Sequence, residues 1–438
     1  MSALKLVEEM GIQSHKDSDK LAQAKERVYL KGFYEGVMIG GPCGGMKVSD
    51  AKKFVRKMLI KEGLAASYCE PENEVISRTG DECVVAFCDQ WFINYGEEAW
   101  KNSVKQHVVS QNFNAYNEKN LTEFKETLDW LKKWACSRST GLGTRLPWDK
   151  QWVIESLSDS TIYMAYYTVA HLLQGGHIDG QKVGPLGITA DQMTHEVWNY
   201  IYKKGAYPAG CKIPEDNLKK LRAEFEYWYP MDLRVSAKDL IRNHLTMSLY
   251  NHYAIWETPD MMPRGFFCNG YILVNGKKMS KSEGNFFTLK DCINKFGADA
   301  TRFALADAGD SLDDANFEES VANAAISHLF NFERFIADVV ASKDSEPTYD
   351  LWDSLFENEI HYLVNNAKQF YDEIKFKQVL KFGFFEMQSL KDDYIVAKKK
   401  GVSKLLMLSF IEASLIILNP ICPHFSEHCW REYLLPIY

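Results

Sequence analysis

At 438 residues the chain is too long for one ordinary domain, and two or three are expected. A hydrophobic fraction of 46% with 13% aromatics is enough for buried cores, and no run of about 18 apolar residues marks a membrane span. The net charge of −8 gives no global sign of nucleic acid, although a large RNA-binding enzyme needs only a local basic surface. Ten cysteines with neither CxxC nor framework spacing read as the reduced thiols of a cytosolic protein.

The N-terminal stretch through Glu9 reads as an amphipathic helix without the apolar core of a signal peptide. Ser18–Arg27 is helical by propensity, Val28–Ile39 reads as strands, and Gly40–Gly45 is a turn-rich loop. Ser49 is expected to cap a basic helix running through Lys61. This piece is too small and irregular for a complete domain and is expected to be the tail of one. Glu82–Asp89 is β-rich and apolar, suited to a buried strand, which would put Cys83 and Cys88 on opposite faces and argue against a shared metal. Gln90–Tyr95 continues into a charged helical region, and Leu121–Trp134 has the three- and four-residue spacing of an amphipathic helix. Cys136–Trp148 is a glycine-containing loop with two arginines, suited equally to cradling phosphate and to plain connection. Trp152–His171 begins with small hydroxyl residues and Asp159 and continues as an aromatic-rich helix; taken alone, it reads as caps followed by core.

After a glycine-rich loop near residues 175–187, Phe225–Val235 reads as a strand and Ser236–His244 as a turn into a helix. Such βα connections are where α/β folds bind ligands, at the carboxyl ends of the strands. Asp239 and His244 both face that crevice if Asp239 starts the helix; otherwise His244 is a packing histidine. Gly270–Val274 reads as a further strand and Thr288–Asp291 as a helix start. From about Asn316 the pattern is helical without strand signal, at 319–341, 355–395 and 402–418, which predicts a bundle after a boundary at Gly309–Ala315. Near the end, Cys422, His424, His428 and Cys429 invite a zinc reading, with the histidines one helical turn apart. The cysteines are too close in sequence for tetrahedral closure and no distant pair completes the set. A helix start at Pro423 and His424 is preferred, and no metal site is expected.

Between the strand and helix around it, Asn275–Asn285 packs three lysines, two serines and two glycines without apolar periodicity. A basic loop of this kind suits phosphate: glycine lets the backbone approach, hydroxyls and N–H groups donate, and lysine supplies charge. Lys278-Met-Ser-Lys-Ser282 is similar, letter for letter, to the second ATP-handling motif of class I aminoacyl-tRNA synthetases. Further segments follow in that family's order: Lys31–Gly36, Val75–Arg78, Cys88–Trp91, Gly141–Thr144 with Leu146–Trp148, Glu155–Tyr163, Asp232–Ser236, and Pro423–His424 with Glu427–His428. Over nearly its whole length the chain resembles the leucyl-tRNA synthetases of the eukaryotic cytosolic and archaeal type. Ser158–Tyr163 stands where the isoleucine and valine relatives carry a motif with tryptophan and phenylalanine.

The resemblance implies an α/β then all-α chain: the second half of a Rossmann-like class I catalytic domain, then an anticodon-binding helical bundle. Residues 1–70 would be a remnant of the editing insertion and its return, 71–310 the catalytic half with its loop, and 311–438 the bundle. It implies ATP as substrate with Mg²⁺, leucine and tRNA-Leu as partners, a cytoplasmic location and no membrane. Lys278 and Lys281 would stabilise the leaving pyrophosphate, with Met279, Ser280 and Ser282 completing the ATP loop. Asp239 would accept from the ribose hydroxyls, while Ser160, Tyr163 and His244 would surround leucine and adenylate. There are two departures. Ala237 stands where the family usually has glycine, and none of the eleven histidines fits the HxGH motif, His177–Gly180 being the nearest. A partial or split form is therefore expected, lacking HxGH and most of the editing domain, with a separate N-terminal half or other synthetase-complex proteins as partners. Half a nucleotide-binding sheet would also leave an open edge. The alternatives are a non-catalytic tRNA- or protein-binding fragment and a class I nucleotidylyltransferase; the latter is not expected to carry the bundle or the Ser160/Tyr163 segment.

Overall fold

The computed structural model describes residues 3–437 except 15, 78–79, 178–179, 281–283, 344–346 and 399–400. By internal packing the chain divides into two units, Met1–Asp89 and Gln90–Tyr438.

The first unit holds α1 (Ala3–Glu9), α2 (Ser18–Leu30) and α3 (Val48–Lys61). The strands expected at Val28–Ile39 are instead a continuation of α2, which passes into a π-turn at Lys31–Glu35 before the backbone extends at Gly36. Tyr29 stacks on Phe33 one helical turn away, a local pairing that outweighs the β-propensity of the aromatic residues. α3 begins at Val48, after an uncapped Lys47, so Ser49 lies in its first turn and does not cap it. Glu82–Asp89 is not a buried strand. Beyond one bridge between Ile76 and Glu82 it has no ladder, and Val84 and Phe87 are exposed. An apolar strand is buried only where a neighbour pairs with it, and among the described residues none does.

The second unit opens with β1 (Phe92–Asn94), α4 (Glu98–Val108) and α5 (Glu118–Trp130), and β2 (Lys133–Ala135) returns antiparallel to β1. Glu97 and Asn117 cap α4 and α5 by accepting from first-turn N–H groups. α5 stops before the expected Trp134, whose indole N–H instead reaches the Glu155 carboxylate at 2.6 Å. The loop expected at Cys136–Trp148 lies inside a small antiparallel sheet of β3 (Ser137–Arg138), β4 (Arg145–Leu146) and β5 (Asp149–Ile154), ordered β3-β5-β4. The single turn α6 (Ser156–Asp159) then leads to α7 (Tyr163–Leu173).

α7, α8 (His195–Tyr202) and α9 (Glu215–Trp228) enclose a core that includes Val169, Ile201, Leu218, Leu221 and Phe225. The strand expected at Phe225–Val235 begins instead as the last turn of α9, through Trp228, and only Arg234 and Val235 of it are strand. Leu218, Leu221 and Phe225 recur at three and four residues, and Phe225 stacks with Tyr229 and Trp256 inside this core. Of this stretch only β6 (Arg234–Ala237) forms a strand, so Ser236 belongs to the strand and the turn begins at Lys238.

α10 (Thr246–Trp256) packs with α4 and α5 around Phe124, Leu128, Ile241, Leu249 and Tyr250, and β7 (Phe266–Asn269) pairs in parallel with β6. Among the described residues β7 is the only strand beside β6, whose Val235 is exposed. Next come the hairpin β8 (Ile272–Val274) and β9 (Lys277–Lys278), then α11 (Leu289–Phe296) and α12 (Ala298–Ala308). As expected, Thr288 opens α11, in a reciprocal capping box with Asp291. β10 (Ala315–Phe317), unread in the sequence, pairs in parallel with β8.

The helical part comprises α13 (Glu319–Ala341), α14 (Leu351–Asp372), α15 (Phe376–Leu380), α16 (Glu386–Ala397), α17 (Lys404–Leu418) and α18 (Pro423–Cys429). Its core, built on Phe332, Phe356, Phe384 and Phe410, also takes in Phe303 from α12. The single segment expected at 355–395 is broken after α14, where Ile374 adopts φ 55°. Gly383 permits the close approach of α17, since a Cβ there would lie 2.3 Å from Ile417 Cγ2. α18 begins at Pro423 as expected, with Cys422 and Cys429 buried and His428 Nε2 3.0 Å from Glu333. No helix among the described residues is long and apolar enough to cross a membrane.

Candidate active site

Between β6 and α10 the chain makes a 3₁₀ turn at Lys238–Leu240 and a π-turn at Ile241–Leu245. The π-turn carries His244, which is buried, and widened turns of this kind are frequent at functional sites. Arg234 Nη1 lies 3.1 Å from His244 Nδ1. A guanidinium only donates, so Nδ1 accepts and the ring proton sits on Nε2. Nε2–H then donates to Ser160 Oγ at 2.9 Å, and the Ser160 hydroxyl donates to the Ser156 carbonyl at 2.8 Å. Tyr163 completes the cluster, with the Arg234 guanidinium 5.1 Å from its ring centroid and the His244 ring at 6.1 Å.

The electrostatics agree with this tautomer. Burial, and then the Arg234 charge, push the His244 pKa down to about 4. The imidazole is therefore neutral at pH 7 and orients Ser160. In the unfolded chain His244 returns to its ordinary 6.5, so the unfolded state binds the extra proton between the two values. Its contribution to stability is present above pH 6.5 and lost as pH falls toward 4. The His244 Cε1–H resonance of the folded chain is expected to titrate near 4, and Arg234→Met should move it upward; titration near 6.5 in the parent would contradict the pairing.

Ser160, Tyr163 and His244 are thus brought together as a group. Arg234, which joins them, escaped sequence reasoning. The available signal was a cation between Leu233 and Val235 in an extended run, where it must either reach solvent or find buried partners. Asp239 stands apart from them, exposed on the 3₁₀ turn. Ala237 has φ −99° and ψ 154°, extended backbone open to any residue, so its methyl group causes no backbone strain.

Neighbouring carboxylates fix the approach to Ser160. Asp159 Oδ2 accepts from the Thr144 N–H at 3.1 Å and its hydroxyl at 3.2 Å, tying down the Gly141–Thr144 loop. Glu155 accepts from Trp134, Arg138 and Ser158. Arg145 donates to the Lys150 carbonyl. Both arginines of this loop therefore hold the protein together, which favours plain connection over a phosphate cradle.

In the basic loop, Asn275 and Gly276 have φ 48° and 78°, the left-handed pair that closes a two-residue hairpin with the twist of its strands. The hairpin places Lys277 and Lys278 on β9. Asn285 fastens the base of the loop: its Oδ1 accepts from the Ser280 N–H at 2.8 Å and its Nδ2 donates to the Lys278 carbonyl at 2.9 Å. Met279 and Ser280 are half-buried there, while Lys281 and Ser282 lie outside the described residues. The Tyr271 ring lies between two ammonium groups, Lys238 at 4.9 Å and Lys278 at 5.9 Å from its centroid. Lys238 is neutralised by Asp314 at 2.6 Å, and Asp314 also accepts from the Tyr271 N–H. Lys278 is exposed and has no ion-pair partner among the described residues. The turn that carries Asp239 and the strand that carries Lys278 therefore meet at Tyr271. Among the described residues no three His, Cys, Asp or Glu side chains are grouped to hold a metal ion.

The family model for class I tRNA synthetases of the I, L, M and V group matches residues 71–318, and that for the anticodon-binding domain of tRNA ligase matches residues 353–436. The chain belongs to the class I tRNA synthetases. This synthetase is 49% identical over 434 residues to the cytoplasmic leucine–tRNA ligase of Pongo abelii, covering 98% of this chain and 37% of that protein. It is 46% identical over 437 residues to the cytoplasmic leucine–tRNA ligase of Saccharomyces cerevisiae, and 35% identical over 440 residues to the leucine–tRNA ligase of Archaeoglobus fulgidus. Those alignments cover 40% and 45% of the two proteins, so the synthetase chain spans about two-fifths of the length of the relatives it matches. In fold it is similar to the methionyl-tRNA synthetase of Mycobacterium tuberculosis bound by methionyl-adenylate, with a TM-score of 0.56 at 16% identity, covering 82% of this chain and 66% of that one.

Proposed function

We propose that this chain carries part of a leucine–tRNA ligase, acting in the cytoplasm in the ATP-dependent activation of leucine and its transfer to tRNA-Leu. The single observation that supports this best is an uncommitted Lys278, held in place by Asn285 and meeting at Tyr271 the turn that runs from the Arg234 strand to His244, which with Ser160 completes the buried cluster. In the first step a carboxylate oxygen of leucine attacks the α-phosphorus of ATP, the bond to the bridging oxygen breaks, and pyrophosphate leaves with the electron pair. Lys278 and Lys281 stabilise the growing charge on pyrophosphate, and Ser280 and Ser282, with the Met279 backbone, shape the loop around it. Asp239, exposed at the start of its turn, accepts from the ribose hydroxyls. Ser160, Tyr163 and His244 line the leucine and adenylate site, with His244 neutral and Ser160 fixed in orientation. Mg²⁺ carried by the nucleotide would offset phosphate charge; the chain's own contribution at the loop is cationic.

In this reading residues 1–70 are the return from an editing insertion, 71–310 the second part of the catalytic domain, and 311–438 the anticodon-binding bundle. Partners are tRNA-Leu and, where HxGH chemistry is needed, an N-terminal half or another protein of a synthetase complex. The test is leucine-dependent ATP–pyrophosphate exchange by the purified chain, alone and mixed with the N-terminal half of a cytoplasmic leucine–tRNA ligase. Exchange with leucine well above isoleucine and valine is expected in at least the mixture. No exchange in either, with the chain folded, would favour a non-catalytic tRNA- or protein-binding role.

A further inference from the structure

Away from the candidate active site, α14 and α16 run side by side and leave a groove between them. Its floor is the buried Phe356 ring stacked on Tyr394, with centroids 4.1 Å apart and planes 9° from parallel. One wall is Trp352 and Leu355 from α14, which remain 50% and 49% exposed; the other is Leu390 and Ala397 from α16. Side chains of this size are costly to leave in water, at about 25 cal/mol per Å² of apolar surface. Trp352 and Leu355 lie on one face of α14, which Glu359 continues one turn further on.

The floor is rigid. The Tyr394 hydroxyl donates to Asp353 at 2.5 Å, and Lys398 closes a buried ion pair with the same carboxylate. The rim is acidic. Glu359 from α14 and Asp393 from α16 line the groove, and neither has an ion-pair partner among the described residues. By contrast Asp372, Asp392 and Asp353 are paired with Lys368, Lys391 and Lys398. α14 carries four carboxylates to one lysine and α16 three to one.

We propose that this groove docks an amphipathic helix of a partner protein, with large apolar side chains along one face and lysine or arginine on both flanks. The apolar walls take a helix face laid between two helices, as in other helix-in-groove complexes, and Trp352 is the type of half-exposed anchor that dominates such contacts. The charge pattern selects the occupant. A nucleic acid would bring phosphates against unpaired carboxylates, and a second copy of this chain would set two acidic rims face to face; a basic helix instead matches the rim on both sides. A floor already fixed by the aromatic stack and the buried pair reduces the ordering cost on binding.

The test uses the full chain and a fluorescein-labelled synthetic helix with leucines at i, i+3, i+7 and i+10 flanked by lysines, followed by anisotropy, with a glutamate-for-lysine twin as control. The lysine peptide is expected to bind about tenfold or more tighter than its twin. The double variant Glu359→Lys, Asp393→Lys should reverse that preference, and Leu355→Asp should abolish binding of both. All three positions are exposed, so unchanged melting curves would show that the variants fold. Binding that ignores these substitutions, or no binding of the lysine peptide, would overturn the proposal. So would displacement of the peptide by single-stranded RNA, or a dimer in light scattering that Leu355→Asp dissociates.

Discussion

Lys278→Ala is expected to slow leucine-dependent ATP–pyrophosphate exchange by about 10²- to 10³-fold, the scale of losing one preorganised group that stabilises transition-state charge. The reason lies in how the ammonium is held. Lys278 ends β9, its carbonyl is fastened by Asn285, and its side chain lies beside the Tyr271 ring without an ion pair among the described residues. The neighbouring Lys238 is already committed to Asp314, so it does not substitute for the lost charge. The fold depends little on an exposed lysine at a strand end, and the urea midpoint should stay close to the parent. Lys278→Arg keeps the charge and should retain more activity than alanine. Exchange by Lys278→Ala within a few-fold of the parent would remove this residue from the mechanism.

The largest effect on stability is expected at Lys398, in the helical part. Its side chain is 1% exposed, as is that of its partner Asp353, with Asp350 a further 3.0 Å contact. Burial pushes the Asp353 carboxyl up, but hydrogen bonds from Lys398 and Tyr394 outweigh it and hold the carboxyl below its usual range. Removing the lysine leaves that carboxylate buried and unpaired, so Lys398→Met should cost about 3–5 kcal/mol. The double variant Lys398→Met, Asp353→Leu removes both charges and should be less destabilised than Lys398→Met alone. Urea unfolding followed by far-ultraviolet circular dichroism measures both, and a Lys398→Met midpoint equal to the parent's would refute the argument. A depressed carboxyl contributes stability above its unfolded pKa and loses it as pH falls through the folded value, so acid should weaken the parent in this region more than the double variant.

Much was legible in the sequence because it is decided within a few residues. The Thr288 helix start, the Pro423 helix start and the Glu319–Ala341 helix rest on caps, proline at a first turn and apolar period. The Lys278–Ser282 motif needs only the local order of lysines and serines, and it led to the family before any contact was known. Strands were read less well. Val28–Ile39, Glu82–Asp89 and Phe225–Val235 are all rich in β-branched or aromatic residues, yet the first is helical through Glu35 and the last through Trp228, where local stacking or a helical core claims those rings, and the middle one has no ladder. β10, by contrast, is three residues, too short for a period to stand out, and is a strand only because β8 lies beside it. The arrangement of the candidate site lay furthest from reach. The family resemblance offered Ser160 and His244 as separate positions, but their hydrogen bond spans 84 residues, and Arg234 joins them from a strand. Only the tertiary structure decides which imidazole nitrogen carries the proton, because that depends on the donors the fold places around the ring, while helix caps, turns and the basic loop are set by neighbours in sequence.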